Sequence, residues 1–130
     1  IVKYEYQLPF EGEVYIKEIN SIIRTKTLPR EGLESFRGDK KAIYIDRDKV
    51  KGSLIVRNRR PGDRFTPLGF KGRKKVKDYF IDEKIPKDER NRIPIITDEK
   101  NIIWIVGYRI SELYKLTKDT KRVLVIQFER

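Results

Sequence analysis

The chain has 130 residues, with 31 Lys or Arg against 20 Asp or Glu, so its formal net charge is +11. It contains no Cys and no His, which excludes disulfides, zinc fingers and thiol catalysis and leaves carboxylates, Lys, Tyr and Ser as the candidate acid–base groups. No apolar run approaches the roughly 18 residues of a membrane span and no signal peptide opens the chain, so we expect a cytoplasmic protein with no membrane partner. Because it lacks Met altogether, we also expect it to be part of a longer protein.

The first half of the chain is predicted to form short strands. Apolar and polar side chains alternate or cluster in a β-type pattern over residues 2–8, 13–17, 22–23, 42–46 and 53–59. Residues 27–41 show no steady period and include Pro29, Gly32 and Gly38, so this stretch is predicted to be a long loop.

The second half combines helical and strand patterns. Val76, Tyr79 and Phe80 have the spacing of neighbours on one helical face, and the helix should end near Lys84, before Pro86. A second short helix is predicted over 87–92, a hairpin over 94–97 and 102–108, and a last strand over 123–128, whereas 111–118 is ambiguous. Trp104 lies in an apolar run of the hairpin and is expected in the core. This pattern indicates an α+β fold.

A basic segment from Arg57 to Lys77 dominates the charge distribution. Its 21 residues contain nine cations and a single acid, Asp63, which together contribute +8 of the net charge. The cations are Arg57, Arg59, Arg60, Arg64, Lys71, Arg73, Lys74, Lys75 and Lys77. Such a concentration of charge is typical of a surface that binds a polyphosphate.

The basic segment also has the features of a positioned surface. Pro61 and Gly62 suit the central positions of a type II turn, and Gly69 and Gly72 are expected to repeat this device. Phe65, Leu68 and Phe70 are expected to anchor the segment to the core, and Asp63 to hold a neighbouring Arg or to cap the backbone. Lys74, Lys75 and Lys77 are expected in the first turn of the helix or on its exposed side. The alternative interpretation is an ordinary solvated charge run.

Other motifs carry weaker signals. Gly69-x-x-Gly72 matches a clamp for single-stranded RNA, although Pro67 does not favour the helical context that such a clamp needs. Asp46-x-Asp48 resembles a metal pair without a third ligand. Ser111 and Thr120 have no base of the His type, so they do not indicate a nucleophile.

The segment from Arg57 to Pro94 closely resembles a known family. It reads R-x-R-R-P-G-D-R-F-x-P-L-G-x-K-G-x-K-K-x-K-D-x-F-I-D-x-K-I-P, then R-x-x-x-P-I, and W-x-V-G-x-R-I-x-E follows. This order resembles the C-terminal domain of bacterial tRNA(Ile)-lysidine synthetase over roughly residues 54–128. We therefore interpret 54–130 as the tRNA-binding domain and 1–53 as a β-rich N-terminal part of the same C-terminal region.

The resemblance implies a fold and a function. The fold is α+β, with mostly antiparallel sheets in sandwich-like packing and one or two short helices, as in a module of the phenylalanyl-tRNA synthetase β subunit. The function is binding of the tRNA(Ile) acceptor stem. Eight of the nine cations match the family's Arg-rich turn and basic helix start, and we add Arg73 to them as a ninth predicted RNA-binding residue. No catalytic residue is carried over, because this chain lacks the Ser-Gly-Gly-x-Asp-Ser type loop of the family's N-terminal adenylation domain.

The resemblance also implies the chemistry of the longer protein. With ATP and Mg, the parent ligase activates C2 of the wobble cytidine, and the ε-amine of lysine displaces AMP. The fragment itself is expected to hold no cofactor or metal, and its partners are tRNA(Ile), the adenylation domain of the same chain and a second copy in a homodimer. Two alternatives stay open, namely a structural or dimerisation domain and a free-standing RNA-binding module.

Overall fold

A computed structural model describes residues 2–31 and 38–130. Its strands are β1 Glu5–Leu8, β2 Gly12–Ile16, β3 Ser21–Pro29, β4 Ala42–Asp46, β5 Leu54–Arg57, β6 Arg64–Phe65, β7 Lys74–Lys75, β8 Ile95–Thr97, β9 Ile102–Ile105 and β10 Arg122–Glu129. The α-helices are α1 Val76–Asp82 and α2 Lys87–Arg90, and 3-10 turns occupy Lys17–Ile19, Arg47–Lys49 and Glu112–Tyr114. No helix of the described ranges is long and apolar enough to cross a membrane.

The strands form two four-stranded antiparallel sheets and one small ribbon. The first sheet has the order β1-β5-β8-β9 and the second has the order β2-β3-β10-β4. The ribbon pairs β6 with β7, with Arg64 opposite Lys75. Each large sheet therefore combines strands from both sides of residue 53, while the boundary at that residue stays a prediction.

The two large sheets share the main hydrophobic core. This core includes Ile23 and Leu124 from the second sheet and Val56, Ile96 and Trp104 from the first. All five are at most 1% exposed, which confirms the expected burial of Trp104. Inner faces that pack side chain against side chain make the sandwich-like arrangement predicted for this α+β fold.

The first sheet is covered on its other face as well. Ile95 and Ile105 are adjacent in sequence to Ile96 and Trp104 of the main core, but their side chains belong to a second cluster. The other members of this cluster include Phe65, Val76, Tyr79, Phe80 and Ile85. Because side chains alternate between the faces of a strand, β8 and β9 are buried at every position when both faces are covered. Helix α1 and the ribbon are thus fixed against the first sheet, and the apolar face predicted for α1 is buried.

Two predictions about secondary structure are wrong. The loop expected to begin at Thr27 begins later, because β3 continues to Pro29 by pairing with β10 in a register that puts Arg122 opposite Pro29. The loop prediction for residues 32–37 lies outside the described residues. Lys74 and Lys75 form β7 rather than the first turn of the helix, which starts at Val76.

The hairpin and the short helices are confirmed with small shifts. β8 and β9 pair as an antiparallel hairpin with an irregularity at Thr97. Helix α1 ends at Asp82, earlier than the predicted Lys84, whose φ of 58° lies outside the helical region. Ser111 accepts a hydrogen bond from the backbone N–H of Leu113 and so caps the 3-10 turn in the ambiguous stretch.

Candidate nucleic-acid interface

A tight turn begins the basic segment. The backbone N–H of Asp63 donates to the carbonyl of Arg60 at 3.2 Å, and Gly62 has φ of 85°. These are the features of the type II turn that Pro61 and Gly62 predicted. The carbonyl of Asp63 in turn accepts from the N–H of Val76 at 2.9 Å, which joins the turn to the first residue of α1.

A bidentate ion pair fixes this turn from inside. Arg57 Nη1 and Nη2 donate to Asp63 Oδ2 and Oδ1 at 2.9 and 3.0 Å. Both side chains are close to 90% buried, and Asp63 Oδ2 also accepts from the backbone N–H of Arg60. The expected role of Asp63 as partner of a neighbouring Arg is confirmed. Arg57 differs from the other eight cations, because its guanidinium points into the protein.

Arg59 is half-buried and held in a defined position. Its Nε donates to Asn91 Oδ1 at 2.9 Å, and its guanidinium lies 5.6 Å from the centroid of the Phe80 ring. The neighbouring Asn58 donates to the carbonyls of Val2 and Asn91. The chain therefore leaves β5 along a fixed path, and Arg59 no longer follows the strand alternation that would place it on the same face as Arg57.

Two cations at the rim of the segment, one exposed and one partly exposed, pair with exposed carboxylates. Arg60 forms an ion pair with Glu5 of β1, and Lys74 forms one with Asp82 of α1. Exposed pairs of this kind contribute about 0–1 kcal/mol, so a phosphate can compete for either cation at little cost.

The remaining five cations have no ion-pair partner among residues 2–31 and 38–130. They are Arg64, Lys71, Arg73, Lys75 and Lys77, and each is exposed. Arg64 and Lys75 are directly opposite in the ribbon, where like charges destabilise a cross-strand pair. A surface that keeps such charges side by side and unpaired is arranged to attract an anion.

Three of these cations, Arg64, Lys75 and Lys77, line a groove of about 610 Å³ between the first turn and α1. Its lining comprises Arg59, Arg60, Pro61, Gly62, Asp63, Arg64, Lys75, Val76, Lys77, Arg90 and Asn91. Five of the nine predicted cations thus line one groove. Arg57 lies beneath it, and Lys71, Arg73 and Lys74 belong to the adjoining loop and ribbon.

A second turn follows over Pro67–Phe70, with a 2.9 Å hydrogen bond from the N–H of Phe70 to the carbonyl of Pro67 and φ of 90° at Gly69. The expectation that Gly72 repeats the device is wrong, because Gly72 is not among the positive-φ residues. Of the three expected anchors only Phe65 is buried, at 4% exposure, whereas Leu68 and Phe70 are 38% and 44% exposed. Both lie on a turn that projects from the core.

Residues distant in sequence hold the second turn. The Leu68 N–H donates to the Ile110 carbonyl, and the Gly69 N–H donates to Glu112 Oε1 at 2.8 Å. Arg109 Nη1 donates to the Leu68 carbonyl at 2.8 Å. The ion pair with Lys115 and the Gly69 N–H hold the pKa of the Glu112 carboxyl below its usual range.

Sequence patterns missed four residues of this surface, namely Arg90, Asn91, Arg109 and Glu112. Arg90 and Asn91 reach the groove from the end of α2, and Arg109 and Glu112 reach the second turn from the segment after β9. No local pattern marks them, because their proximity depends on the packing of α2 and β9. Arg90, Arg109 and Glu112 did fall within the motif that carries the family resemblance.

The weaker motifs have structural partners. Asp46 accepts from the Asp48 N–H and from the Thr120 hydroxyl, and Asp48 pairs with Arg122, which keeps the pKa of Asp48 low. In the described part of the chain no group of three acidic residues could hold a metal ion.

The fold and this surface define a basic α+β domain with an anion-attracting groove beside a two-sheet core. The chain belongs to the family described as TilS substrate C-terminal domain, whose model matches residues 54–127. It is 40% identical over 129 residues to a tRNA(Ile)-lysidine synthase of Caldanaerobacter subterraneus and 43% identical over 129 residues to one of Clostridioides difficile. Each match covers 99% of this chain but only 27% and 28% of the relative, so the chain spans about a quarter of their length.

Solved structures confirm the predicted fold class. A crystal structure of a TilS C-terminal domain matches with a TM-score of 0.83 at 29% identity, covering 98% of this chain and 97% of that one. An N-terminal fragment of the phenylalanyl-tRNA synthetase β subunit from Pyrococcus horikoshii matches 68% of this chain and 28% of its own, with a TM-score of 0.58 at 21% identity. The second likeness concerns the fold alone.

Proposed function

We propose that this domain binds tRNA through the surface formed by the two turns, the ribbon and the start of α1. The observation that carries the proposal is a set of five exposed cations with no ion-pair partner in the described part of the chain, on a backbone that the buried Arg57–Asp63 pair holds in place. Positioned cations bind phosphates in register, which orients an RNA as well as attracting it.

The side-chain chemistry of the surface favours a duplex region of the tRNA, and we propose the acceptor stem of tRNA(Ile). Side chains cannot easily read the deep major groove of A-form RNA, so contacts should fall on phosphates and 2′-hydroxyls. A surface rich in Arg and Lys and poor in exposed amide side chains suits contacts to the RNA backbone. The groove is lined by four Arg and two Lys, with Asn91 as its one side-chain amide.

The nine cations then have three roles. Arg64, Lys71, Arg73, Lys75 and Lys77 contact phosphates directly. Arg59 contacts the RNA from a position set by Asn91, whereas Arg60 and Lys74 contact it in exchange for their ion pairs with Glu5 and Asp82. Arg57 is a positioning residue that acts through Asp63.

The longer protein is proposed to be an ATP-dependent ligase. Its relatives are named tRNA(Ile)-lysidine synthase, and the family resemblance implies that ATP and Mg activate the wobble cytidine for attack by lysine in a separate adenylation domain. In this proposal the domain described here supplies tRNA binding remote from the reaction, in the cytoplasm, and holds neither ATP nor metal.

Binding of the 130-residue chain to tRNA(Ile) and to an unrelated tRNA tests the proposal. We expect measurable binding at low salt, and a preference for tRNA(Ile) would show that the domain contributes to substrate selection. Absence of binding to either tRNA would contradict the proposal. Concentration-dependent self-association without RNA binding would instead favour the alternative of a dimerisation domain.

A further inference from the structure

The second turn exposes an aromatic ring in the middle of a cationic surface. Phe70 is 44% exposed, although the turn that carries it is fixed by three hydrogen bonds to residues 109–112. The exposure therefore does not come from a loosely attached loop. A rigid support that presents an apolar ring to solvent is a feature of binding surfaces.

Two cations flank the ring without covering it. The guanidinium carbon of Arg109 lies 5.4 Å from the ring centroid, and Lys74 Nζ lies 6.0 Å from it. By comparison, Arg47 lies 3.7 Å from the centroid of Phe10, where the cation covers a half-buried ring. Phe70 thus keeps free surface, with positive charge at its border.

We propose that Phe70 stacks on an unpaired nucleobase at the end of an RNA stem whose phosphates occupy the neighbouring groove. Bases within a duplex are already stacked, so an aromatic side chain can stack only on a base at an end, a bulge or a single strand. Arg109 and Lys74 would receive the phosphates that accompany that base. This combination of aromatic ring and cations is the arrangement used for single-stranded nucleic acids.

The inference rests on the proposed function and specifies its ligand further. If the duplex part of an acceptor stem lies along Arg64, Lys75 and Lys77, the unpaired 3′ nucleotides that follow the stem are the single-stranded segment next to it. The second turn would then recognise the junction between stem and single strand, and the groove would recognise the stem itself.

A comparison of two RNAs tests this inference. We would measure binding of an RNA hairpin with a short unpaired 3′ overhang and of the same hairpin with a blunt end, using wild type and Phe70→Ala. For the overhang RNA we expect Phe70→Ala to bind about tenfold more weakly. Affinity for the blunt RNA should not change. Phe70→Tyr, which keeps a ring, should retain the wild-type affinity.

Matched controls separate this inference from the proposed function. Tyr15 is another exposed aromatic residue, in β2 of the other sheet, so Tyr15→Ala should bind both RNAs like wild type. A 2-aminopurine base in the overhang should lose fluorescence on binding wild type but not Phe70→Ala. Equal weakening of both RNAs by Phe70→Ala, or no weakening of either, would overturn the inference while leaving the groove intact. If wild type bound neither RNA, the proposed function would fail and this inference with it.

Discussion

Arg57 and Asp63 form a two-point ion pair beneath the turn that carries the basic groove, with N–O distances of 2.9 and 3.0 Å. The same carboxylate accepts the backbone N–H of Arg60, and the carbonyl of Asp63 accepts from Val76. One residue therefore joins β5, the turn and α1. The only acid of the basic segment serves to position its cations.

Removal of this carboxylate should destabilise the domain. Asp63→Ala leaves the Arg57 guanidinium buried without its partner, for which we expect a loss of about 2–4 kcal/mol in the free energy of unfolding. Urea denaturation measures this loss. Glu11→Ala, which removes an exposed acid, should stay within about 0.5 kcal/mol of wild type. A similar small change for Asp63→Ala would contradict the positioning role of the pair.

Two glycines of the basic segment should respond differently to alanine. Gly62 has φ of 85° and Gly72 does not have a positive φ, while an added Cβ meets no atom within 4 Å at either position. Because only the backbone conformation differs, we expect Gly62→Ala to destabilise the domain by about 1 kcal/mol or more and Gly72→Ala to be neutral or slightly stabilising. Thermal denaturation of the two variants checks this, and equal effects would contradict the assigned turn.

The two rim carboxylates, Glu5 and Asp82, are expected to compete with RNA for Arg60 and Lys74, so their removal should strengthen RNA binding. Glu5→Gln and Asp82→Asn remove the ion-pair partners of Arg60 and Lys74, so each cation becomes fully available to a phosphate. We expect the double variant to bind tRNA several-fold more tightly and with a steeper salt dependence, with a stability change of at most about 1 kcal/mol. Unchanged or weaker binding in a filter or anisotropy assay would show that these two cations do not contact RNA.

Alkaline pH should destabilise the domain through Tyr114. Burial, followed by its 2.6 Å hydrogen bond to Asp98, raises the pKa of the Tyr114 hydroxyl above its usual value of 10.0. The folded state therefore favours the neutral hydroxyl. The contribution of this hydroxyl to the free energy of unfolding is complete below pH 10 and is lost as the pH rises above 10. Tyr114→Phe should cost about 1–3 kcal/mol at pH 7 and show a smaller further loss between pH 10 and 11. The same decline in variant and wild type would contradict this assignment.

Local sequence patterns predicted which helices and strands form better than they predicted where each one begins and ends. Alternation and β-branched residues indicated β8, β9 and β10, and the spacing of Val76, Tyr79 and Phe80 indicated α1. The end of β3 depends instead on its pairing with β10, about 100 residues later in the chain. No pattern within 27–41 contains that information.

The candidate site was likewise predicted from sequence only where its features are local. The charge of the segment and its first turn were visible in the sequence, because a turn of Pro61 and Gly62 and a run of cations are local features. Arg57 is buried with its partner Asp63, whereas Leu68 and Phe70 lie on a turn that hydrogen bonds to residues 109–112 hold while leaving both side chains exposed. A basic residue, Arg57, is therefore buried, and two apolar residues, Leu68 and Phe70, are exposed, which is the opposite of what their chemistry alone predicts.

The salt dependence of tRNA binding tests the central claim most directly. The variant to compare with wild type replaces by Ala the five cations to which residues 2–31 and 38–130 supply no ion-pair partner, namely Arg64, Lys71, Arg73, Lys75 and Lys77. A control with the same change in net charge replaces five exposed lysines elsewhere, Lys26, Lys51, Lys100, Lys118 and Lys121, by Ala.

Each phosphate contact contributes about −0.7 to −0.9 to the slope of log K against log salt. We expect the five-cation variant to lose the part of that slope that about three to five phosphate contacts contribute. The control should keep most of the wild-type slope. Equal slopes for the variant and wild type, or an equal reduction in variant and control, would show that the groove and its turns are not where the domain holds RNA.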